Sequence, residues 1–254
     1  MSSSFERTQS VAIIGGGPGG YEAALAAAQL GADVTLVERA GVGGSAVITD
    51  VVPSKTLIAT ADAAVAIADA GELGVQLFAK GGDGRPLKPE IAINLAQVNK
   101  RLLALARQQS VSTGPGGTDF DRIEADTLVI SVGASPRELP SAKPDGERIL
   151  TWTQLYDMKT LPEHLIVVGS GVTGAEFASA YMNLGSKVTL ISSRDQVLPG
   201  EDKDAAAVIE SVFLRGGMTL LPKSRAKSVV REGDGVVVTL SDGTRVEGSH
   251  CLMA

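Results

Sequence analysis

Two glycine-rich turns are the residues best suited to chemistry in this chain. Each has three glycines at G-x-G-x-x-G spacing, and the two sets are Gly15, Gly17 and Gly20, and Gly169, Gly171 and Gly174. In such a turn the first glycine allows a tight bend, the second lets the backbone approach a pyrophosphate, and the third lets a helix pack against a strand. The following helix N-terminus offers unpaired N–H groups to the phosphates. The spacing predicts two dinucleotide sites, against the alternative of glycine turns without a ligand.

The residue that ends the next strand differs between the two sites. Glu38 ends that strand in the first, where its carboxylate is suited to accept hydrogen bonds from both ribose hydroxyls. The equivalent position in the second is Ser192, followed by Ser193 and Arg194. Without the carboxylate a 2′-phosphate is not repelled, and Arg194 is placed to neutralise it. This favours NADPH over NADH, with the alternative that Arg194 is a solvated surface charge.

The two turns belong to an internal repeat with a constant offset of 154 residues. The tripeptide Val34-Thr35-Leu36 returns unchanged as Val188-Thr189-Leu190, and Glu22 returns as Glu176. Units this far apart are not neighbours in a solenoid, so two related domains in tandem are predicted.

Each repeat has the pattern strand, glycine turn, helix, strand. The predicted strands are 11–14, 34–37, 165–168 and 188–191, and the predicted helices are 21–30 and 175–184. Further helices are predicted at 55–70 and 89–109, a strand at 127–132, loops at 81–89 and 114–117, and an antiparallel meander at 228–231, 236–241 and 244–247. The fold class is therefore α/β, with two Rossmann-like domains, parallel sheets and small antiparallel meanders.

Composition excludes several classes of protein. The 254 residues carry a net charge of −6, which disfavours nucleic-acid binding. A single cysteine, Cys251, forms neither an intramolecular disulfide nor a dithiol centre, and two histidines without a cysteine cluster predict no metal site. The apolar stretch 11–37 contains Glu22 and Asp33, and the N-terminus is unlike a signal peptide. A cytoplasmic protein without a membrane segment is predicted.

Several motifs together resemble the flavoprotein disulfide reductase family. They are the two glycine turns, Gly43-Gly44, Val52-Pro53-Ser54-Lys55 and the segment ISVGASP at 130–136. The resemblance implies FAD on the first fold and NAD(P)H on the second, with an incomplete FAD-binding domain at 1–148 and an NAD(P)-binding domain at 149–254. The residues that it implies in cofactor binding are Gly15, Gly17, Pro18, Gly19, Gly20, Glu38, Arg39, Gly44, Ser45, Lys55, Gly133, Gly169, Gly171, Val172, Thr173, Gly174, Glu176, Ser192, Ser193 and Arg194.

The resemblance also implies catalytic roles for Lys55 and Glu176, which in the family meet beside the flavin. A lysine there would stabilise negative charge that arrives with a hydride. The alternative for Lys55 is a solvent-facing helix charge, and for Glu176 an acid that is favourable in the first turns of any helix.

Three departures separate the chain from the family pattern. Ala46 and Val51 stand where the family has its two redox cysteines, which excludes disulfide reduction and makes the chain most similar to the NAD(P)H quinone reductase branch. The chain stops at Ala254, where the family continues into a second FAD-binding segment and a dimerisation domain, so a homodimer is expected only of a full-length form. The stretch 109–121 is too short for the family's strand and meander, and leaves 111–113 as a strand remnant. A fragment and a natural short variant both fit.

The principal hypothesis is an FAD-dependent NAD(P)H oxidoreductase that passes electrons to a quinone-like small molecule. The alternatives are a non-catalytic nucleotide-binding fragment and a flavin monooxygenase or NAD(P)H oxidase. Four further candidates are interpreted as structural or surface residues: Asp50, Arg137, Trp152 and His164.

Overall fold

The computed structural model describes residues 8–80, 85–87, 90–110 and 122–254. The predicted strand remnant at 111–113, the loop at 114–117 and much of the loop at 81–89 lie outside these residues. The chain divides into two compact units. The first comprises Met1–Pro53 and Leu102–Ser135, and the second Ser54–Arg101 and Pro136–Ala254.

The described residues form five α-helices and thirteen strands. The helices are α1 Pro18–Gln29, α2 Val51–Ala68, α3 Leu95–Gln109, α4 Val172–Asn183 and α5 Lys203–Arg215. The strands are β1 Ser10–Ile14, β2 Asp33–Val37, β3 Leu77–Phe78, β4 Pro86–Leu87, β5 Thr127–Ile130, β6 Ile149–Thr151, β7 His164–Val168, β8 Lys187–Ile191, β9 Thr219–Leu221, β10 Ala226–Glu232, β11 Gly235–Leu240, β12 Arg245–Gly248 and β13 His250–Met253. A π-helical turn occupies Ser45–Thr49 and a 3-10 turn Gln154–Asp157.

Each unit contains a parallel sheet, as the repeat predicts. The first has the order β2-β1-β5 and the second β6-β13-β7-β8-β9. The offset extends to strand register, because Val11 pairs with Val34 and Leu165 pairs with Val188. The predicted antiparallel meander is also confirmed as β10-β11-β12.

A hydrophobic core joins one face of the second sheet to this meander. Ile166, Ile191 and Cys251 of the parallel strands pack in one buried cluster with apolar residues of β10 and β11. Burial on both faces explains why β7, β8 and β13 consist largely of uninterrupted apolar residues.

Several predicted boundaries are wrong. Helices α1 and α4 begin three residues early, because Gly17 and Gly171 act as their N-caps. Helix α3 begins at Leu95 rather than at 89, and β5 ends at Ile130 rather than at 132. Pro86–Leu87, expected in a loop, pairs with Leu77–Phe78.

Five elements were not predicted from the sequence: α5, β3, β6, β9 and β13. Asp202 is the N-cap of α5, because its side chain accepts hydrogen bonds from the N–H groups of Asp204 and Ala205. An aspartate in this position is a signal that the sequence contains. The strands β6, β9 and β13 have three or four residues each, too few for a clear pattern.

One helical stretch in the described residues, Ser45–Ala68, is long and apolar enough to cross a membrane. The apolar stretch noted in the sequence, 11–37, is a different segment. Length and composition alone are weak evidence, because apolar helices inside folded domains meet the same criterion.

Candidate nucleotide sites

The glycine turn of the first unit is closed to side chains at two positions and open at one. Gly15 has a φ of +103°, and a Cβ there would lie 2.1 Å from the Ser131 carbonyl oxygen. A Cβ on Gly20 would lie 1.7 Å from the Gly15 carbonyl oxygen. A Cβ on Gly17 would meet nothing nearer than Gly44 Cα at 3.8 Å. The backbone at Gly17 is therefore free to approach a ligand, as a pyrophosphate requires.

A cavity of about 340 Å³ opens at this turn. It brings together nine of the predicted residues, Gly15, Gly17, Pro18, Gly19, Glu38, Arg39, Gly44, Ser45 and Gly133. Gly20 does not line it and serves instead the close packing of α1 on the turn. Lys55 belongs to the second unit.

Glu38 is held in its ionised form by backbone groups. Its Oε2 accepts a hydrogen bond from Gly16 N at 2.6 Å, and its Oε1 accepts from Arg39 N and Ala40 N at 2.8 and 2.7 Å. Partial burial raises the pKa of Glu38, but these three hydrogen bonds and the Arg39 charge outweigh it and lower the pKa. A carboxylate has about four acceptor positions, so capacity for a ribose hydroxyl remains. The site fits an adenosine dinucleotide such as FAD.

The glycine turn of the second unit repeats this geometry. Gly169 has a φ of +116°, and its Cβ would lie 2.4 Å from the Ala254 carbonyl oxygen. A Cβ on Gly174 would lie 1.9 Å from the Gly169 carbonyl oxygen, whereas one on Gly171 would meet nothing within 4 Å. Val172 and Thr173 are the first residues of α4, where N–H groups point out of the helix. This turn also fits a dinucleotide.

The three residues after β8 point in different directions. Ser192 is buried, accepts hydrogen bonds from Ser170 Oγ and Arg194 N, and donates to the Gln196 carbonyl. Its hydroxyl is therefore engaged inside the unit. Ser193 lines a cavity of about 490 Å³, together with Gly169 and Thr173. Arg194 is exposed and does not line this cavity.

The Lys55 ammonium and the Glu176 carboxylate meet within the second unit, although 121 residues separate them. Lys55, on α2, donates a hydrogen bond to Glu176 Oε1, on α4. The Lys55 side chain is 54% exposed and that of Glu176 29%. The pair therefore presents a cation that water and small molecules can reach.

The positions of the expected redox cysteines contain no sulfur. Ala46 lies in the π-helical turn, and Val51 is the first residue of α2. The only cysteine, Cys251, is buried in β13, and burial raises the pKa of its thiol. Among the described residues no three His, Cys, Asp or Glu side chains are grouped as a metal site would require.

The remaining candidates are placed as follows. Asp50 follows the π-helical turn. His164 begins β7, and its Nε2 is 2.8 Å from Thr189 Oγ1. Arg137 and Trp152, interpreted as surface and packing residues, line the 490 Å³ cavity.

Two further cations in this cavity, Arg225 and Lys227, were missed by the sequence analysis. The available signal was a pair of cations two residues apart just ahead of the predicted strand 228–231.

The comparisons with known proteins agree with this geometry. The family described as pyridine nucleotide-disulphide oxidoreductase matches residues 9–254. The chain belongs to this family. Membership confirms the family resemblance read from the glycine turns and the Pro-Ser-Lys segment.

Two relatives and two solved structures from the comparisons are informative. An NAD(P)H dehydrogenase (quinone) of Mycobacterium tuberculosis is 46% identical over 96% of this chain and 55% of its own length. A dihydrolipoyl dehydrogenase of Zymomonas mobilis is 31% identical over 95% and 56%. The crystal structure of LpdA from M. tuberculosis superposes with a TM-score of 0.83 at 44% identity, covering 97% of this chain and 58% of that one.

An HOCl-induced flavoprotein disulfide reductase of Escherichia coli shares the fold, with a TM-score of 0.73 at 22% identity, over 96% of this chain and 56% of that one. The present chain spans about half the length of the curated relatives that it matches.

Proposed function

We propose that this chain contains the two nucleotide-binding units of an FAD-dependent NAD(P)H oxidoreductase with a quinone-like electron acceptor. The observation that carries the proposal is the duplicated glycine turn, open at Gly17 and at Gly171 and closed at the flanking glycines. The first unit would hold FAD through this turn and Glu38, and the second would hold NAD(P)H. The relative whose name specifies a quinone supports this acceptor class.

The absence of a dithiol separates this proposal from disulfide reduction. Reduction of a disulfide through the enzyme requires a pair of thiols that exchange with it. Ala46 and Val51 occupy the positions of that pair, and the buried Cys251 has no second cysteine in the sequence. An acceptor that takes electrons directly from a flavin, as a quinone does, needs no such pair.

Lys55 and Glu176 have a positioning and electrostatic role in this proposal. Bound FAD would supply the chemistry of taking a hydride from NAD(P)H and passing the electrons on. Glu176 holds the Lys55 ammonium by a charge-assisted hydrogen bond, which fixes the direction of a flexible side chain. A fixed ammonium stabilises negative charge that develops beside it.

A cytoplasmic location and a homodimer of the full-length form stay predictions.

The test is a visible absorption spectrum of the purified chain before and after anaerobic addition of NADPH. Flavin bands that bleach support the proposal. Oxygen and a soluble quinone are then offered separately to the reduced protein, since peroxide formation without quinone reduction would instead favour an oxidase or monooxygenase. A colourless protein that binds NADPH contradicts the proposed activity of this chain and favours a nucleotide-binding fragment. Turnover of a dithiol substrate would also contradict it.

A further inference from the structure

The 490 Å³ cavity of the second unit has a charge unlike that of the rest of the chain. Three of its lining residues, Arg137, Arg225 and Lys227, are cationic, and none is Asp or Glu. In the described part of the chain none of the three forms an ion pair. Because the whole chain carries −6, a cavity lined by three cations is where an anion would be attracted. Its volume is in the range of small-molecule sites.

Backbone hydrogen bonds fix the segment that carries two of these cations. Lys223 N donates to the Arg194 carbonyl and Ser224 N donates to the Ser192 carbonyl, both at 2.7 Å. Ser241 N donates to the Arg225 carbonyl at 2.9 Å. The segment before β10 is therefore tied to the residues that follow β8.

This attachment places the cations at the ribose end of the predicted nucleotide site. Position 192 is the repeat equivalent of Glu38, the residue suited to bind ribose hydroxyls in the first unit. The side chain of Ser192 is turned into the protein, so it does not take that role. The neighbouring polar groups that line the cavity are Ser193, Ser224 and the cations of the β10 strand.

Both cations lie at the start of β10 and line the same cavity. Arg225 immediately precedes the strand, and Lys227 follows two residues later. Ala226 between them packs against the buried cluster. The pairing of β10 with β11 shifts register between Ala226 and Ser228, so Lys227 lies at an irregular position of the strand. Arg194, predicted from sequence as the phosphate partner, does not line the cavity.

We infer that Arg225 and Lys227 bind the 2′-phosphate of NADPH and make the second unit selective for NADPH over NADH. The inference rests on the proposed function, since it assigns a subsite to the same nucleotide. The pyrophosphate is assigned to the turn at Gly171. The 2′-phosphate is a second anionic group, attached to the ribose, and needs a subsite of its own. An arginine supplies paired N–H donors to its oxygens, and a lysine supplies a point charge.

The experiment is isothermal titration of the whole chain with four ligands: NADPH, NADH, adenosine 2′,5′-bisphosphate and adenosine 5′-monophosphate. The test variant is Arg225→Ala with Lys227→Ala. The control is Lys203→Ala with Arg215→Ala on α5, which removes the same charge from outside the cavity. Arg225 and Lys227 are exposed, so the test variant is expected to fold, and retained NADH binding verifies this.

We expect wild-type protein to bind the bisphosphate at least about tenfold more tightly than the monophosphate, since charged hydrogen bonds reach this size. The test variant should lose this preference and leave NADH affinity within about twofold, while the control keeps both. Equal binding of the two adenosine ligands by wild-type protein, or the same loss in test and control, overturns the inference but not the proposed function. Failure of all four ligands to bind contradicts both.

Discussion

The two nucleotide-binding units have matching strands but differ in what covers one face of the sheet. Leu128 of β5 and Cys251 of β13 occupy equivalent positions in the two sheets. Leu128 pairs with Ala12 and Cys251 pairs with Ile166, and these two partners are 154 residues apart. Leu128 is 58% exposed, whereas Cys251 is fully buried. Ile130 on the same face of β5 is 70% exposed. The same strand arrangement is therefore buried in one unit and open to solvent in the other.

The meander accounts for the buried face of the second unit. Val229 of β10 and Val236, Val238 and Leu240 of β11 pack against the parallel strands in one cluster. The difference teaches that a buried parallel strand is recognised from its own residues, but its burial depends on a layer supplied by another part of the chain.

The largest expected effect tests the feature that the two units share. Gly20→Ala and Gly174→Ala each place a Cβ within 2 Å of a backbone oxygen, at 1.7 and 1.9 Å. Each should lower the free energy of unfolding by more than about 4 kcal/mol, because the backbone must move. Chemical denaturation measures the change. Gly171→Ala is the control, since its Cβ meets nothing within 4 Å. Equal stability of Gly171→Ala and Gly174→Ala would contradict the expectation.

The next largest effect tests whether the meander buries the sheet of the second unit while the equivalent face of the first stays exposed. Ile191→Ala removes a side chain that is 1% exposed and packed under the meander, and should cost about 2–5 kcal/mol of unfolding free energy. Its repeat equivalent, Val37→Ala, removes a side chain that is 41% exposed and should cost less than about 1 kcal/mol. Denaturant midpoints of the two variants give the comparison. Similar losses would show that the two faces are equally covered.

Acid should affect the second unit through a residue that the first lacks. His250 corresponds in register to Thr127. Burial, together with the nearby Arg148 charge, lowers the pKa of His250 to about 4, although Asp145 acts in the opposite direction. The unfolded chain therefore binds more protons than the native one between pH 6.5 and 4, so stability should fall as pH falls through this window.

Denaturation of wild-type protein and His250→Gln at several pH values measures this dependence. The variant should lose part of the slope between pH 6.5 and 4, and an unchanged slope would contradict the assignment to His250. His164, whose pKa is lowered by burial and by the Lys187 charge, is expected to contribute to the slope in the same direction.

The smallest stability effect is expected at Lys55. Lys55→Met breaks an ion pair whose lysine is 54% exposed, so the unfolding free energy should change by less than about 1 kcal/mol. If Lys55 acts on the bound cofactor as proposed, bleaching by NADPH should slow while stability stays unchanged. Stopped-flow absorbance measures the bleaching, and Lys203→Met on α5 is the control. A slow phase in both variants would argue against a specific role for Lys55.

Local patterns predicted the parts of the fold that depend on neighbouring residues. The glycine spacing predicted both turns, and the repeated Val-Thr-Leu predicted β2 and β8. The resemblance brought Lys55 and Glu176 together across 121 residues, which composition or periodicity does not do.

Hydrogen bonds that form only in the folded chain decided what the sequence did not predict. The inward direction of Ser192 depends on its bonds to Ser170 and Gln196. The position of Arg225 depends on the attachment of the segment before β10 to the residues after β8. Neither attachment has a spacing that is visible along the chain, and together they underlie the proposal that the cations of the cavity, rather than Arg194, bind the 2′-phosphate.

The buried thiol of β13 is a probe of local opening in the second unit only. Cys251 lies between β6 and β7, and the sequence contains no other cysteine. A thiol reagent modifies the exposed thiolate, so labelling must wait until β13 separates from its neighbours. The labelling rate therefore reports how often the second sheet opens, while the first unit contributes no signal. Nucleotides that bind the second unit should slow the labelling of Cys251, and tighter binding should slow it more.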